Sequence, residues 1–229
     1  MIKGAIFDVD GTLLDTMGKW HDASRIYLSR LGISTDPAIG NRYFALTIAD
    51  TARAIKEEYG LTASVSEIVD GIDGIMEEFY RTEARPKPGA EELLERFRQA
   101  GIPMVVGTST DRRPIEAALT RLGMDQYFLR IFTCTEVGHP KSDPELFLAA
   151  MELMGSDPEE TVLFEDGLYS IRTAAALGIK TVGVYDRISR TDQEAIRDLA
   201  WDYLPEGASL AELTRILDNA ESADNKSSK

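Results

Sequence analysis

The chain has 229 residues, of which 43% are hydrophobic, and it carries a formal net charge of −14 at pH 7. This length and hydrophobic content are sufficient for one buried core, either as a single domain or as a domain with an insertion. The excess of acidic residues argues against a nucleic-acid groove or an anionic membrane surface as a partner, because both are recognised mainly through lysine and arginine patches.

The chain contains one cysteine, Cys134, which excludes an internal disulfide and a zinc site built from several cysteines. Its apolar neighbours predict a core position rather than a nucleophile. The apolar run before Asp8 is too short for the core of a signal peptide, and no stretch approaches the roughly 20 apolar residues of a membrane span. We therefore expect a cytoplasmic protein.

A short apolar run at 5–7 predicts a strand that leads into Asp8-Val9-Asp10-Gly11. Side chains two positions apart share a face of a strand, so the carboxylates of Asp8 and Asp10 would converge beyond its carboxyl end. Two such charges repel unless a divalent cation lies between them or one carboxyl keeps its proton, and both arrangements are typical of reactive sites. A strand that simply ends in an Asp-Gly turn is the alternative for this segment taken alone.

Residues 17–85 predict a succession of helices without a convincing strand between them. Hydrophobic periodicity predicts helices at 19–31 and 47–59, and a third begins at Ser64, where Ser64 and Glu67 have the spacing of a capping box. A helical block inserted directly after the first strand cannot cover a sheet face in sequence order. We expect it to stand apart as a small bundle.

From about Lys87 onward, short β-branched strands alternate with amphipathic helices. The clearest strands are predicted at 103–107, 161–164 and 180–185, and one of the helices is predicted to start with Asp143 as its N-cap and Pro144 in its first turn. This alternation predicts right-handed βαβ units and therefore an α/β fold with a doubly wound parallel sheet. The polar segment 218–229 is expected to be a disordered tail.

Polar side chains accompany the later predicted strands. The segment Thr108–Thr110 follows one strand, Lys141 precedes a proline-initiated helix, and Glu165 and Asp166 follow another strand. Hydroxyls and backbone N–H groups can hold phosphoryl oxygens, a lysine can stabilise negative charge, and a carboxylate can bind a hard cation. Each feature taken alone also has a purely structural explanation: the hydroxyl segment as a polar loop, Lys141 as a solvated lysine, and the acidic pair as a helix N-cap.

Together these segments resemble the four motifs of the haloacid dehalogenase-like hydrolases, a superfamily of aspartate-nucleophile phosphotransferases. The stretch from Asp8 to Thr16 resembles the first motif, and Thr108, Lys141 and the pair Glu165-Asp166 resemble the second, third and fourth, in this order along the chain. The resemblance spans roughly residues 2–205. Within the superfamily, the sequence looks closest to the β-phosphoglucomutase-like, phosphatase-rich branch. It implies a Rossmann-like catalytic core at 1–15 and 87–217 and an inserted α-helical cap at 16–86.

The resemblance also implies a mechanism. Asp8 would attack phosphorus and form an aspartyl-phosphate, while Asp10 would protonate the leaving oxygen and then activate the water that releases phosphate. Lys141 would act in catalysis by stabilising negative charge on the nucleophile and the phosphoryl group. The implied phosphoryl contacts come from the side chains of Thr108, Ser109 and Lys141.

A magnesium ion is the implied cofactor, because a hard, oxygen-liganded cation can contact both an aspartate and a phosphate that would otherwise repel each other. By the resemblance, Mg²⁺ would be held by Asp8, the backbone carbonyl of Asp10 and Asp166. Glu165 would act from further out, either by holding a metal-bound water or by orienting Lys141, since adjacent residues of a strand point apart.

The implied activity is hydrolysis of a small phosphomonoester, such as a sugar phosphate or a nucleotide-like compound, by a monomeric enzyme. A phosphomutase is one alternative, and it would call for basic residues on the cap that rebind a phosphorylated intermediate. Arg42, Arg53, Arg81 and Arg85 lie there, but none sits in a recognisable mutase loop, which favours the phosphatase. A catalytically silent phosphate-binding protein on the same fold is the other alternative, and the competent residues at all four motifs argue against it.

Overall fold

Six parallel β-strands form one sheet in the computed structural model, which describes residues 1–43 and 46–217. Their bounds are β1 Gly4–Phe7, β2 Met104–Thr108, β3 Ile131–Thr133, β4 Thr161–Glu165, β5 Lys180–Val184 and β6 Asp202–Leu204. Their spatial order is β3-β2-β1-β4-β5-β6, so the first strand of the chain lies inside the sheet. The segment 218–229, predicted to be a disordered tail, lies outside the described residues.

The described residues also form ten α-helices. Their bounds are α1 Met17–Arg30, α2 Gly40–Tyr43, α3 Ile48–Tyr59, α4 Val65–Thr82, α5 Ala90–Gln99, α6 Arg112–Leu122, α7 Cys134–Val137, α8 Glu145–Met154, α9 Leu168–Ala176 and α10 Gln193–Leu199. The chain divides into two compact units, one formed by Met1–Asp15 with the described residues from Arg85 onward and the other by Thr16–Ala84. The predicted fold class, a Rossmann-like doubly wound core with an inserted helical unit, is confirmed.

The strand β1 is buried on both faces, as expected for a strand in a parallel sheet that helices cover on both sides. On one face, Ile6 belongs to the same buried cluster as Leu146 of α8. On the other face, Phe7 stacks on Phe164 of β4 with ring centroids 4.4 Å apart, and Phe97 of α5 meets both rings edge to face. Each such buried side chain contributes about 1.5–3 kcal/mol through the hydrophobic effect, which fixes the strand that carries Asp8.

The register of the central strands brings their carboxyl ends level. Phe7 pairs with Val106 of β2 on one side and with Phe164 of β4 on the other. The strand order reverses at β1, because β2 and β3 follow on one side and β4 to β6 on the other. Doubly wound folds bind ligands in the crevice that opens at such a reversal, outside the carboxyl ends of the strands. The topology therefore predicts a ligand site at the carboxyl ends of β1, β2 and β4.

The two edge strands, β3 and β6, are absent from the sequence prediction. Each has only three residues, which is too short for a hydrophobic alternation to distinguish a strand from a loop. Cys134, predicted to lie in the core, directly follows β3 and starts α7; it is half-buried and packs against the buried cluster beneath the sheet.

The prediction that Asp143 caps the following helix was wrong. The residue before the first helical residue of α8 is Pro144, and no side chain caps this helix. The carboxylate of Asp143 lies instead 3.3 Å from Nδ1 of His139, so its oxygen is directed back along the preceding loop rather than toward the helix. The Asp143 carboxylate thus interacts with His139 instead of the N-terminal N–H groups of α8. Short acidic side chains often have such a choice between nearby polar groups.

The unit Thr16–Ala84 is a bundle in which α4 packs against α1 and α3. The predicted capping box is present, since Ser64 Oγ accepts from the backbone N–H of Glu67 at 3.2 Å and Glu67 Oε2 accepts from the N–H of Ser64 at 2.7 Å. The indole N–H of Trp20 donates to the hydroxyl of Tyr80 at 2.8 Å and joins α1 to α4. That this unit acts as a cap stays a prediction.

No helix within residues 1–43 and 46–217 is long and apolar enough to cross a membrane. Location in the cytoplasm and a monomeric state stay predictions from the sequence.

Candidate active site

Asp8 lies directly after β1, at the carboxyl edge of the sheet. Its backbone N–H donates to the carbonyl of Phe164 at 3.0 Å, which continues the hydrogen bonding of the sheet by one residue and holds the Asp8 backbone in place. Only 5% of the residue is exposed. A carboxylate this deeply buried needs a compensating charge, because its desolvation costs several kcal/mol.

Lys141 supplies that charge from the loop between α7 and α8. Its Nζ donates to Asp8 Oδ1 at 2.5 Å and to Glu165 Oε2 at 2.9 Å, and only 1% of its side chain is exposed. Burial alone would lower the pKa of this ammonium, but the two carboxylates outweigh burial and raise it well above its usual value. Lys141 is therefore a fixed positive charge between the ends of β1 and β4.

Glu165, the last residue of β4, has both carboxylate oxygens engaged. Oε2 accepts from Lys141, while Oε1 accepts from the backbone N–H groups of Asp166 at 3.1 Å and Gly167 at 2.9 Å. These bonds fix the side chain and direct it at the ammonium. The arrangement favours the role of orienting Lys141 over direct contact with a cation.

Asp8, Glu165 and Asp166 form a buried cluster in which one carboxylate oxygen of each lies within 4.8 Å of the others. Burial, followed by the charge of Glu165, raises the pKa of Asp8 to about 7 even though Lys141 opposes the shift. Burial and the charges of Glu165 and Asp8 also raise the pKa of Asp166 well above its usual value. Negative charge in the cluster is thus only partly compensated by protein groups, and hard carboxylate oxygens are the donors that Mg²⁺ prefers. The donor set fits this ion.

A second ion pair lies beside the cluster and is absent from the sequence analysis. Lys87 Nζ lies 3.2 Å from Asp186 Oδ2 and donates to the carbonyl of Tyr185 at 2.8 Å, and both charged side chains are largely buried. Asp186 follows β5, so it reaches the same edge of the sheet as Asp166, and the two carboxylates repel. The position of Asp186 directly after a predicted strand is the signal that could have found it.

With all four of their carboxyl groups ionised, these groups would carry an unbalanced charge of −2, a state that the raised pKa values of Asp8 and Asp166 show to be unfavourable without a cation. The buried carboxylates of Asp8, Glu165, Asp166 and Asp186 face the ammonium groups of Lys141 and Lys87. A divalent cation would balance this difference, which is a second reason why the residues present fit a magnesium site.

Asp10 is half-buried beyond Asp8 and is oriented by the loop after β2. Thr110 Oγ1 donates to Asp10 Oδ2 at 2.7 Å. Gly11 has a φ of +80°, in the left-handed region that favours glycine, and its N–H bonds the carbonyl of Leu14, so the chain can turn immediately after Asp10. The sequence pattern around Thr110 predicts only a polar loop and does not indicate this contact with Asp10.

Thr108 is the last residue of β2 and is fully buried. Its Oγ1 accepts from the backbone N–H of Thr110 at 3.1 Å, which shapes the turn at the strand end. Ser109 is exposed between them, with its Oγ 3.6 Å from Cys134 Sγ. The structure thus places the hydroxyl segment on the strand next to β1, at the same edge as Asp8.

The sequence-predicted residues come together as follows. Lys141 contacts Asp8 directly although 133 positions separate them, and Asp166 shares the carboxylate cluster with Asp8 and Glu165. Thr108 and Asp10 meet through Thr110. The catalytic, substrate-binding and metal-binding roles assigned to these residues stay proposals.

Comparison with known proteins identifies the family. The family model described as haloacid dehalogenase-like hydrolase matches residues 2–178, so the chain belongs to this family. It is 30% identical over 192 residues to validoxylamine A 7′-phosphate phosphatase of Streptomyces hygroscopicus subsp. limoneus, covering 80% of this chain and 86% of the relative. It is 25% identical over 181 residues to the phosphorylated carbohydrates phosphatase of Thermotoga maritima, covering 79% and 84% of the two chains.

Among solved structures, the putative β-phosphoglucomutase from Thermotoga maritima superposes with a TM-score of 0.80 and 23% identity, covering 95% of this chain and 99% of the other. This likeness confirms the predicted fold, with its parallel sheet and helical insertion. At 23% identity the likeness shows the fold alone and does not distinguish a hydrolase from a mutase.

Proposed function

We propose that this protein is a magnesium-dependent phosphatase that hydrolyses a small phosphomonoester through an aspartyl-phosphate on Asp8. Phosphatase activity on small phosphorylated compounds agrees with the family and with relatives that are named as phosphatases. The observation that carries the mechanism is the buried contact of Asp8 with Lys141, next to the carboxylate of Asp166 at the carboxyl edge of the sheet.

In the first step, a carboxylate oxygen of Asp8 attacks phosphorus in line with the bond to the leaving oxygen. The bond between phosphorus and the leaving oxygen breaks, and Asp10 gives its proton to that oxygen. In the second step, Asp10 takes a proton from water, the water oxygen attacks phosphorus, and the bond to Asp8 breaks. Inorganic phosphate leaves and both aspartates return to their starting state.

Lys141 and the loop after β2 would hold the phosphoryl group during both steps. The Lys141 ammonium already contacts Asp8 and can also stabilise charge on the phosphoryl oxygens as it develops. The hydroxyls of Thr108 and Ser109 and their neighbouring backbone N–H groups can donate to the same oxygens without the nucleophilicity of a carboxylate. Thr110 holds the carboxyl of Asp10 in a defined orientation.

Asp8, Asp166 and the backbone carbonyl of Asp10 would hold the magnesium ion. When bound, the ion supplies positive charge that lets an anionic substrate approach an anionic nucleophile. The engaged oxygens of Glu165 support a place for this residue outside the direct ligands, since both already accept hydrogen bonds from protein groups.

Two ion pairs favour hydrolysis over a mutase reaction. A mutase needs basic residues on the cap to bind a phosphorylated intermediate in two orientations. Of the four arginines of the predicted cap, Arg42 donates to Glu58 and Arg53 donates to Asp50, so two of them already pair with carboxylates of their own unit. A phosphatase has no such requirement, because water takes the phosphoryl group from Asp8.

The fate of the phosphoryl group tests this choice. We expect purified enzyme to release labelled phosphorus from a hexose phosphate as inorganic phosphate, because in the proposed mechanism Asp10 activates water at the aspartyl-phosphate. The measurement is separation of inorganic phosphate from sugar phosphates after several turnovers. Label that stays on an isomeric sugar phosphate, with a bisphosphate required for priming, would replace the phosphatase by the mutase.

A further inference from the structure

Tyr169 is an exposed aromatic residue at the catalytic edge to which sequence analysis gave no role. It lies in the first turn of α9, three positions after Asp166, and half of its surface is exposed. Large apolar side chains on a surface are common singly, so exposure alone says nothing. What distinguishes Tyr169 from other exposed aromatic residues is that its ring lies beside the candidate nucleophile and metal ligands.

The ring packs against the backbone at the carboxyl end of β4. A Cβ atom built on Gly167 would lie 3.0 Å from Cε1 of Tyr169 and 3.1 Å from Oε1 of Glu165, so the ring passes close over the Gly167 backbone. A side chain at this position would collide with the ring unless the ring moved. The glycine therefore allows Tyr169 to pack directly against the segment that follows Asp166.

The hydroxyl end of the ring lies near the predicted phosphate loop. The side chains of Ser109, Lys141 and Asp8 are all close enough to the Tyr169 hydroxyl to interact with it electrostatically. Tyr169 is thus held at its backbone and over Gly167, with its hydroxyl directed toward these side chains. Because a tyrosine has only two side-chain torsions, an anchored ring offers contact area with little further loss of conformational entropy.

An in-line displacement fixes where the leaving group must lie. Asp8 is buried, so the attack on phosphorus comes from the interior of the sheet edge and the leaving oxygen points away from Asp8. The exposed ring of Tyr169 lies over Gly167 and next to Glu165 at the same edge, and its hydroxyl lies near Ser109 of the proposed phosphoryl-binding loop. The first group attached to the leaving oxygen would then be the part of the substrate nearest the ring.

We propose that Tyr169 is a specificity-determining residue whose ring binds the leaving group, and that this leaving group is a cyclic carbohydrate. The inference rests on the proposed phosphatase function. The C–H face of a sugar ring is apolar and flat enough to pack on a tyrosine ring, as aromatic side chains do with apolar partners. A short acid such as glycolate has no such face, and in a nucleoside 5′-phosphate the ring nearest phosphorus is a five-membered ribose, which offers a smaller face than the six-membered ring of a hexose.

The test compares Tyr169→Ala and Tyr169→Phe on four substrates: a cyclic hexose phosphate, a nucleoside 5′-monophosphate, phosphoglycolate and acetyl phosphate. For Tyr169→Ala we expect kcat/KM for the hexose phosphate to fall about tenfold, mainly through KM, since the variant loses the aromatic contact with the leaving group. Acetyl phosphate hydrolysis should change less than about twofold. Tyr169→Phe keeps the ring and should retain most of the activity on the sugar.

Trp201→Ala is the matched control. Trp201 is exposed to the same fraction, 50%, but it precedes β6 and so lies at the amino end of that strand rather than at the catalytic edge. We expect this substitution to leave kcat/KM unchanged for all four substrates. It measures the effect of removing an exposed aromatic ring as such.

Several results would overturn the proposal. A Tyr169→Ala effect of equal size on hexose phosphate and acetyl phosphate would show that the ring only supports the site, and no effect on either would remove its role. An effect confined to the nucleotide would replace the substrate class. A wild-type enzyme that hydrolyses acetyl phosphate and phosphoglycolate but no sugar phosphate would contradict the carbohydrate class alone, whereas failure on all four substrates would contradict the phosphatase as well.

Discussion

Replacing Asp8 by asparagine is expected to lower kcat for every phosphomonoester by at least about 10³-fold, as loss of a catalytic nucleophile does in other enzymes. The change is nearly isosteric, and the amide oxygen can still accept from Lys141, so the buried contact and the fold should persist. The measurement is initial rate together with thermal unfolding by circular dichroism. Asp15→Asn is the control, because Asp15 belongs to the same motif but is exposed.

Asp10→Asn is expected to give a different result. The variant keeps the nucleophile but loses the proton donor and acceptor, so turnover should fall by roughly 10²-fold or more, as is typical when a general acid and base is removed. An activated substrate with a good leaving group should still phosphorylate Asp8, since it needs no proton in the first step. Full activity in Asp8→Asn would end the covalent mechanism, whatever Asp10→Asn does.

Removal of magnesium is the second change with a large expected effect. Excess chelator should abolish phosphatase activity, Mg²⁺ should restore it, and Ca²⁺ should restore it poorly because its looser, higher coordination misplaces the nucleophile relative to phosphorus. Binding should also be visible without substrate. A ligand at 100 times its dissociation constant stabilises the folded state by about 2.7 kcal/mol, which corresponds to a rise in Tm of about 5–10 °C for a protein of this size.

Two variants locate the ion. Asp166→Asn removes a carboxylate of the buried cluster and should remove most of the Mg²⁺-dependent rise in Tm. Asp143→Asn is the matched control, because Asp143 belongs to a more exposed group with His139 and Glu145 that has a similar spacing of ligand atoms, and this variant should keep the rise. Undiminished activity in excess chelator, or loss of the rise in Asp143→Asn alone, would contradict the assignment of the ion to the catalytic edge.

The centre of the sheet and the first motif could be predicted from sequence because the signals there are local. A continuous apolar run ending in Asp8-Val9-Asp10-Gly11 indicates a buried strand that ends in polar chemistry, and the structure has β1 buried on both faces before Asp8. The capping box at Ser64 is equally local and is confirmed. Such patterns extend over a few residues and need no knowledge of the rest of the fold.

The remaining features depend on contacts that sequence patterns do not contain. The ion pair of Lys87 with Asp186 joins residues about 100 positions apart. The position of Asp186 after a predicted strand indicates the edge of the sheet, but it does not indicate Lys87 as the partner. Tyr169 falls within a helical pattern, where an aromatic residue usually indicates core packing. The prediction of an N-cap at Asp143 was wrong for the same reason. The contact with His139 in the preceding loop, which the sequence pattern does not show, orients the Asp143 carboxylate.

The central claim is that Asp8 carries the phosphoryl group between substrate and water. The most direct measurement uses Asp10→Asn, in which release of phosphate from Asp8 should be slow, mixed with acetyl phosphate and Mg²⁺ and then quenched with acid. Mass spectrometry of the peptide that contains Asp8 should show addition of one phosphoryl group, and the same peptide from Asp8→Asn should show none. An unmodified Asp8 peptide from an enzyme that is still releasing phosphate would contradict the account.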